Sequence, residues 1–330
     1  MPPIVLVTGA TGLLGREVME AFSRAGWVTV GQGYSRAAPP KILKANLENI
    51  NEIEKLLDEA NILIFCNNAN NPDGPLRKLW SIVCAANRSP DQCDKNPEQA
   101  RKINVEATRA LAQATSSRSI LFIYISTDYV FPGAEGEAPY EASSSTKPTN
   151  LYGEMKRDGE IVTLEATHDS GLGVILRVPV LYGPTKNNSE SAVNVLLDMV
   201  YKAQDPNSGI KMDDWAQRYP TNTEDVARVC KDIAEKYLQE KDHISSLPRI
   251  LQFSSEDQMT KYEICEKLAQ ILGVPLPGMV RNKQGNDPNA TVQRPFNTKL
   301  STKELRELGV DVWTQDFIAW WRRQLGAYRK

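Results

Sequence analysis

Short apolar runs alternate with stretches of helical periodicity over the first part of the chain. Strands are predicted where β-branched and aliphatic residues cluster, and helices where apolar residues recur every three or four positions. The predicted strands are 4–7, 28–30, 62–66, 81–85, 120–126 and 174–180, and the predicted helices are 13–24, 50–59, 97–116 and 151–167. This alternation predicts an α/β fold, a Rossmann-type doubly wound parallel sheet.

The pattern changes after residue 183. Irregular segments now separate helical stretches at 191–203, 223–240, 261–272 and 303–308. We therefore expect a Rossmann-type domain over residues 1–183. Residues 184–330 are expected to form a smaller, mostly helical lobe that resembles a substrate-binding lobe and closes over the sheet.

A glycine-rich turn follows the first predicted strand and opens the first predicted helix. Its spacing is GxxGxxG, with Gly9, Gly12 and Gly15. Gly9 permits the tight turn, Gly12 lets the backbone approach a pyrophosphate, and Gly15 allows the helix to pack closely. Glycine-rich turns are often only turns, but the position between a strand and a helix favours dinucleotide binding here.

The end of the second predicted strand indicates which dinucleotide. NAD enzymes usually carry an acid there that binds the ribose 2′-hydroxyl. Residues 31–36 contain no acid and end in Arg36, and Arg16 lies at the start of the first helix. A guanidinium group suits a 2′-phosphate, so NADP is favoured over NAD. The alternative is that both arginines are only solvated surface residues.

A candidate reactive site combines three residues. Tyr152 and Lys156 are four positions apart, which places a phenol and an ammonium on one face of a helix. A nearby cation lowers the pKa of a phenol, so Tyr152 is expected to exchange a proton closer to neutral pH. Thr127 follows an apolar strand at the edge of the sheet where ligands bind, and its hydroxyl could polarise a carbonyl. Taken alone, a YxxxK spacing more often consists of solvent-exposed residues without a functional role.

Composition excludes several other classes. Lys+Arg number 39 and Asp+Glu 41, so no basic excess indicates nucleic acid or an anionic membrane as a partner. No apolar run approaches the roughly 20 residues of a membrane-spanning helix, and we expect no signal peptide. The five cysteines and two histidines show no metal-ligand spacing. We expect no metal and reduced thiols, in the cytosol or nucleus.

These residues together resemble the extended short-chain dehydrogenase/reductase superfamily, through the segments TGATGLLG, YGEMK and LRVPVLYGP. Within it, STDYVFPG and QRPFNTKL are similar to the dTDP-4-dehydrorhamnose reductase family. The most specific resemblance is to the family of regulatory beta subunits of methionine adenosyltransferase. It is carried by VLVTGATGLLGR, YISTDYVF, NLYGEMKRDGE, ESAV, MDDWAQRYPTNTEDVARVC and QMTKYE.

The resemblance implies NADP as the cofactor and a site for each part of it. It implies a pyrophosphate turn, a 2′-phosphate segment, an adenine contact, a segment along the cofactor after the fourth strand, and contacts to the nicotinamide-side ribose. With the glycines of the turn, the implied cofactor-binding residues are Gly9, Thr11, Gly12, Leu13, Leu14, Gly15, Tyr34, Ser35, Arg36, Asn46, Leu47, Cys84, Ala85, Arg88, Tyr152, Lys156 and Leu181.

The chain departs from the family pattern in two places. Residues 62–80 have no counterpart, and either CNNAN or VCAAN could be the segment after the fourth strand. We choose VCAAN, because the residues that follow it have the family spacing. Ser35 stands where the beta subunits tend to have a second basic residue, which weakens the preference for NADP.

Two functions follow from the resemblance. The first is a regulatory protein that binds NADP and docks onto the methionine adenosyltransferase catalytic subunit through a basic, aromatic C-terminal tail, residues 316–330. The second is an NADPH-dependent reductase of a keto nucleotide sugar, with Tyr152, Lys156 and Thr127 as its catalytic residues. An alternative for the tail is that Phe317, Trp320 and Trp321 form the core face of a last helix, since their spacing is helical.

Overall fold

A seven-stranded parallel sheet is the centre of the protein. The computed structural model describes residues 2–66, 79–86 and 89–327. The strands are β1 (Ile4–Thr8), β2 (Val28–Gly33), β3 (Ile42–Lys44), β4 (Leu79–Val83), β5 (Leu121–Thr127), β6 (Gly173–Val178), β7 (Leu181–Tyr182), β8 (Ile210–Asp213), β9 (Thr221–Asn222), β10 (Ile250–Gln252) and β11 (Met279–Asn282). The order in the large sheet is β10-β6-β5-β4-β1-β2-β3, which is that of a Rossmann sheet with one added strand.

Helices cover both faces of this sheet. They are α1 (Leu13–Arg24), α2 (Ile50–Cys66), α3 (Pro90–Lys95), α4 (Pro97–Arg101), α5 (Ala107–Ser116), α6 (Leu151–Ala166), α7 (Val195–Lys202), α8 (Thr223–Gln239), α9 (Lys261–Leu272), α10 (Lys303–Glu307) and α11 (Phe317–Gln324). One apolar core joins the sheet to α1 and α8, and a second joins it to α2 and α5. The predicted fold class is confirmed.

The predicted strand at residues 62–66 is wrong. These residues continue α2, because no glycine or proline separates their apolar run from the helical pattern before it. The fourth strand of the sheet is β4, whose predicted position at 81–85 is confirmed within two residues. β4 lies between β1 and β5, as the choice of VCAAN requires. Residues 67–78 lie outside the described residues.

The sheet itself crosses the predicted domain division at residue 183. β10 pairs with β6 as the edge strand, and α8 packs against α1 on one face of the sheet. Residues far beyond 183 therefore complete the Rossmann core. Three residues cannot show periodicity, so the sequence pattern did not predict β10 or β3 as strands.

The remaining C-terminal part has its own apolar core, built from α7, α9 and α11. Phe317, Trp320 and Trp321 are buried there, and all three rings contact Tyr182. The core interpretation of these aromatics is therefore confirmed. Trp313 is 62% exposed, and residues 328–330 lie outside the described part of the chain. No helix among the described residues is both long and apolar enough to span a membrane.

Candidate functional site

The glycine turn lies between β1 and α1, at the carboxyl edge of the sheet. Gly9 has φ +65°, and a Cβ atom there would lie 2.8 Å from the amide nitrogen of Ala85. A Cβ atom on Gly15 would lie 2.2 Å from the carbonyl oxygen of Gly9. Both positions require glycine, because a side chain would push the turn away from β4 or from α1.

The amino end of α1 is suited to an anion. Gly12 is its N-cap, no side chain caps it, and its first turn has no acid. Its amide groups and its dipole therefore favour a diphosphate at this point. Thr11, Leu13 and Leu14 belong to the same turn, where their predicted cofactor role stays a prediction.

Gln32 holds the turn in place and was missed by sequence reasoning. It is buried in β2, its Oε1 accepts a hydrogen bond from Gly9 N (2.9 Å), and its Nε2 donates to Ala45 O (2.7 Å). The sequence feature that could have indicated Gln32 is its side-chain amide within an otherwise apolar predicted strand. It links the pyrophosphate turn to the segment that contains Asn46 and Leu47.

The predicted adenine segment has a structural role of its own. Asn46 N donates to Glu52 Oε2 (2.7 Å), and Asn46 Oδ1 accepts from Glu48 N (3.1 Å) in a tight turn. Leu47 is buried in the core. A contact with adenine would therefore come from the Asn46 side chain or the backbone, while Leu47 mainly fixes the segment.

The segment after β4 also lies at this edge. Cys84 and Ala85 are partly exposed and pass directly beside Gly9. The turn and this segment thus flank the point where the strand order reverses, the usual ligand site of such sheets. Arg88 lies outside the described residues.

The end of β2 presents its predicted residues to solvent. Tyr34, Ser35 and Arg36 are all exposed. The Arg36 guanidinium contacts the Glu190 carboxylate at 3.1 Å, and Arg16 contacts the same carboxylate at 2.7 Å. The structure therefore brings the two predicted arginines together, but around an acid that sequence reasoning did not assign.

Tyr152 and Lys156 lie in the first turns of α6, which begins after the N-cap Asn150. Thr127 ends β5, and its side chain lies near the Tyr152 phenol, whose pKa it acts to lower. Lys156 is 3% exposed; its Nζ donates to Ile125 O (2.6 Å) and lies 4.0 Å from the centre of the Tyr124 ring. The three predicted catalytic residues therefore share one site.

The pKa values in this site run against the sequence expectation. Burial raises the pKa of Tyr152 well above its ordinary value, although the nearby Thr127 side chain acts in the opposite direction. Burial lowers the pKa of Lys156 to about 7, against the opposing effect of Glu160. Lys156 is not among the groups that lower the Tyr152 pKa in the protein without ligand, where burial is the largest influence on both pKa values.

A buried ionic network supports this site from behind. Arg177 donates to both oxygens of Glu160, at 2.9 and 2.7 Å, and Ser126 donates to Glu160 Oε1 at 2.5 Å. The network ties β5, α6 and β6 together one residue before Thr127. A π-helical turn, Lys102–Glu106, with buried Asn104, lies against α6 nearby. Sequence reasoning assigned none of these residues.

The C-terminal lobe reaches the same cleft. The buried Asp128 carboxylate accepts hydrogen bonds from Thr127 (3.1 Å) and from Thr298 (2.6 Å), which belongs to the QRPFNTKL segment. Burial raises the pKa of Asp128, while Thr298 and Arg218 act against that effect. Arg218 Nη2 is buried without a hydrogen-bond partner among the described residues. The lobe thus places a cation close to the predicted reactive groups.

Leu181 also lies where the resemblance places it, just after β6. It forms β7, pairs with Thr221 of the C-terminal lobe, and its carbonyl oxygen accepts a hydrogen bond from Ser191 (2.7 Å). Its predicted cofactor contact stays a prediction.

This strand order, the glycine turn and the Thr127, Tyr152 and Lys156 site define a protein of the short-chain dehydrogenase/reductase class. The family of the RmlD substrate binding domain matches residues 3–327. Methionine adenosyltransferase 2 subunit beta of Mus musculus is 37% identical over 93% of this chain and 82% of its own length. A dTDP-4-dehydrorhamnose reductase of Streptomyces griseus is 31% identical over 68% of this chain and 63% of its own.

Solved structures show the same fold. The dTDP-4-dehydrorhamnose reductase of Bacillus anthracis, crystallised with NADP, superposes with a TM-score of 0.74 at 21% identity, over 98% of this chain and 97% of that one. The chain belongs to the RmlD-like family, in which it is similar to the methionine adenosyltransferase beta subunits.

Proposed function

We propose that this chain is an NADP-binding regulatory subunit of methionine adenosyltransferase that modulates S-adenosylmethionine synthesis. The observation that carries the proposal is the extent of the similarity to the beta subunits. It spans 93% of this chain at 37% identity, so it includes the C-terminal lobe as well as the Rossmann core. The similarity to the reductase covers only 68% of the chain.

The described residues fit NADP. The glycine turn leaves the uncapped amino end of α1 open to the diphosphate. Arg16 and Arg36 provide guanidinium groups for the 2′-phosphate, where a bidentate contact suits the geometry. Tyr152 and Lys156 would bind the ribose hydroxyls on the nicotinamide side.

The protonation of the site supports a binding role. A phenol with a raised pKa stays protonated at neutral pH, and a lysine with a pKa of about 7 is only partly charged. Both groups can hydrogen bond with a ribose in these states.

We place the contact with the catalytic subunit at the C-terminal tail. The aromatic face of α11 is buried, so the surface it offers consists of Arg322 and Arg323, both exposed, and of the residues after Gln324. Leu325 still packs against the C-terminal core. The docking element that we propose is therefore narrower than residues 316–330: it consists of Arg322, Arg323 and the residues from Gly326 onward.

Co-purification tests this proposal. The tagged full chain is mixed with the methionine adenosyltransferase catalytic subunit, and complex formation and S-adenosylmethionine synthesis are measured with and without NADP. Deleting residues 326–330 should abolish the complex and leave the melting temperature and NADP affinity unchanged, because Leu325 and the buried aromatics remain. A full chain that forms no complex would contradict the regulatory role; a truncated chain that still forms one would contradict only the docking site.

A second candidate is a reductase of a keto nucleotide sugar, favoured by the placement of Thr127, Tyr152 and Lys156 in one site. NADPH would supply the hydride when bound. Thr127 would orient the carbonyl, Tyr152 would donate its proton to the oxygen, and Arg218 would favour an anionic substrate in the cleft. Consumption of NADPH with dTDP-4-dehydrorhamnose, lost in Tyr152→Phe, would support this candidate over the first.

A further inference from the structure

A carboxylate lies beside the end of β2, although no acid follows that strand in the sequence. It belongs to Glu190, the last residue of a short 3-10 helix, Asn188–Glu190, which follows β7 far along the chain from the glycine turn. Its Oε2 accepts a hydrogen bond from Arg16 Nη2 (2.7 Å), and its Oε1 accepts one from Arg36 Nη1 (3.1 Å). Its side chain is 14% exposed. One acid thus joins the two arginines predicted to bind a 2′-phosphate.

The position of Glu190 is fixed, because hydrogen bonds hold the segment around it at several points. Arg16 Nη2 also donates to Pro184 O (3.0 Å), and Arg16 Nη1 donates to Thr11 O (2.9 Å) in the glycine turn. Ser191 Oγ donates to Leu181 O (2.7 Å). Arg16 is therefore held between the turn and this segment, and Glu190 lies in the anchored part of the chain.

The neighbourhood keeps Glu190 ionised. Burial acts to raise its pKa, but the hydrogen bonds from Arg16, Lys186 N and Arg36 outweigh it, so the pKa lies below its ordinary value. Near neutral pH the carboxylate is negative. A 2′-phosphate that approaches Arg36 must either displace this charge or bind beside it, and both cost free energy. The 2′-hydroxyl of NAD meets no such cost and can donate a hydrogen bond to a carboxylate.

We propose that Glu190 is a specificity-determining residue that weakens the preference for NADP over NAD by holding Arg16 and Arg36. The inference rests on the proposed binding of a nicotinamide dinucleotide. The acid that NAD-binding proteins carry at the end of the second strand is here supplied by another part of the chain. Glu190 thus reduces the difference in binding affinity between NADP and NAD that Arg36 would otherwise create.

Calorimetric titration of the full chain with NADP and with NAD tests this. Glu190→Gln keeps the shape of the side chain and removes its charge, so NADP should bind about tenfold more tightly, while NAD binds equally or more weakly. Glu190→Ala should shift the ratio of the two affinities in the same direction. The matched control is Glu20→Gln, which removes an exposed acid paired with Arg24 on α1 and should change neither affinity.

The ratio of the NADP and NAD affinities distinguishes a role of Glu190 in cofactor specificity from a purely structural role. If Glu190 has a purely structural role, Glu190→Gln should weaken the binding of NADP and of NAD together, and this result would overturn the inference. Unchanged or weaker NADP binding by a folded Glu190→Gln variant would also overturn it. If the unaltered chain binds neither cofactor, the cofactor part of the proposed function fails as well. The two failures are therefore distinguishable.

Discussion

Replacing Arg177 by methionine should destabilise the protein strongly. Arg177 and Glu160 are 2% and 4% exposed and form a bidentate ion pair across β6 and α6. Arg177 Nη1 also donates to Ala142 O (3.1 Å) and to Gln252 Oε1 (3.2 Å). In Arg177→Met, the Glu160 carboxylate stays buried with only the hydroxyl of Ser126 as a hydrogen-bond donor among the contacts described.

The magnitude follows from the charge that is left behind. Removing one partner of a buried ion pair costs about 3–5 kcal/mol, because the other charge remains desolvated. Removing both charges in Glu160→Leu/Arg177→Met avoids that cost. The double variant still leaves Ser126 Oγ, Ala142 O and Gln252 Oε1 without the partners described above, at about 1 kcal/mol each. Arg177→Met makes the same losses at Ala142 O and Gln252 Oε1 and also strands the Glu160 charge. The double variant should therefore be less destabilised than Arg177→Met, by about 2–4 kcal/mol.

Urea unfolding followed by circular dichroism measures these differences. Arg24→Met is the control: it breaks an ion pair whose side chains are 79% and 52% exposed and should cost less than about 1 kcal/mol. Titration with NADP should show weaker binding by Arg177→Met, since Ser126 and α6 position Thr127 and Tyr152. The reasoning would be refuted if the double variant lost as much unfolding free energy as the single variants Glu160→Leu and Arg177→Met lose together.

Two further predictions concern the site. Because the pKa of Lys156 is about 7 when folded against an ordinary 10.5, the unfolded chain binds more protons between these values, and stability rises with pH there. The unfolding free energy relative to Lys156→Met should increase by on the order of 3 kcal/mol from pH 7 to 9.5, and a difference that does not change with pH would contradict this. Gly15→Ala should weaken NADP binding by at least about tenfold, because its Cβ would lie 2.2 Å from Gly9 O. Gly136→Ala, with no neighbour within 4 Å of the new Cβ, should leave NADP binding intact in the same titration.

The sequence by itself determined the features that depend on neighbouring residues. The turn requires Gly15 because a Cβ atom there would meet Gly9 O within the same strand–turn–helix unit. Helix periodicity places Tyr152 and Lys156 on one face of α6. The helical spacing of Phe317, Trp320 and Trp321 also indicated the face that α11 buries. Periodicity and turn chemistry act over a few positions, so they can be seen without the fold.

Only the tertiary structure decided which distant groups meet. Glu190 reaches Arg36 across 154 positions of the chain, and Thr298 reaches Asp128 across 170. Local patterns contain no information on such pairs, because the pairs depend on how the C-terminal lobe packs against the sheet. The pKa of Lys156 could not be predicted from the sequence for the same reason. Its desolvation depends on all the residues that pack around the ammonium group, and the spacing between Lys156 and Tyr152 does not reveal them.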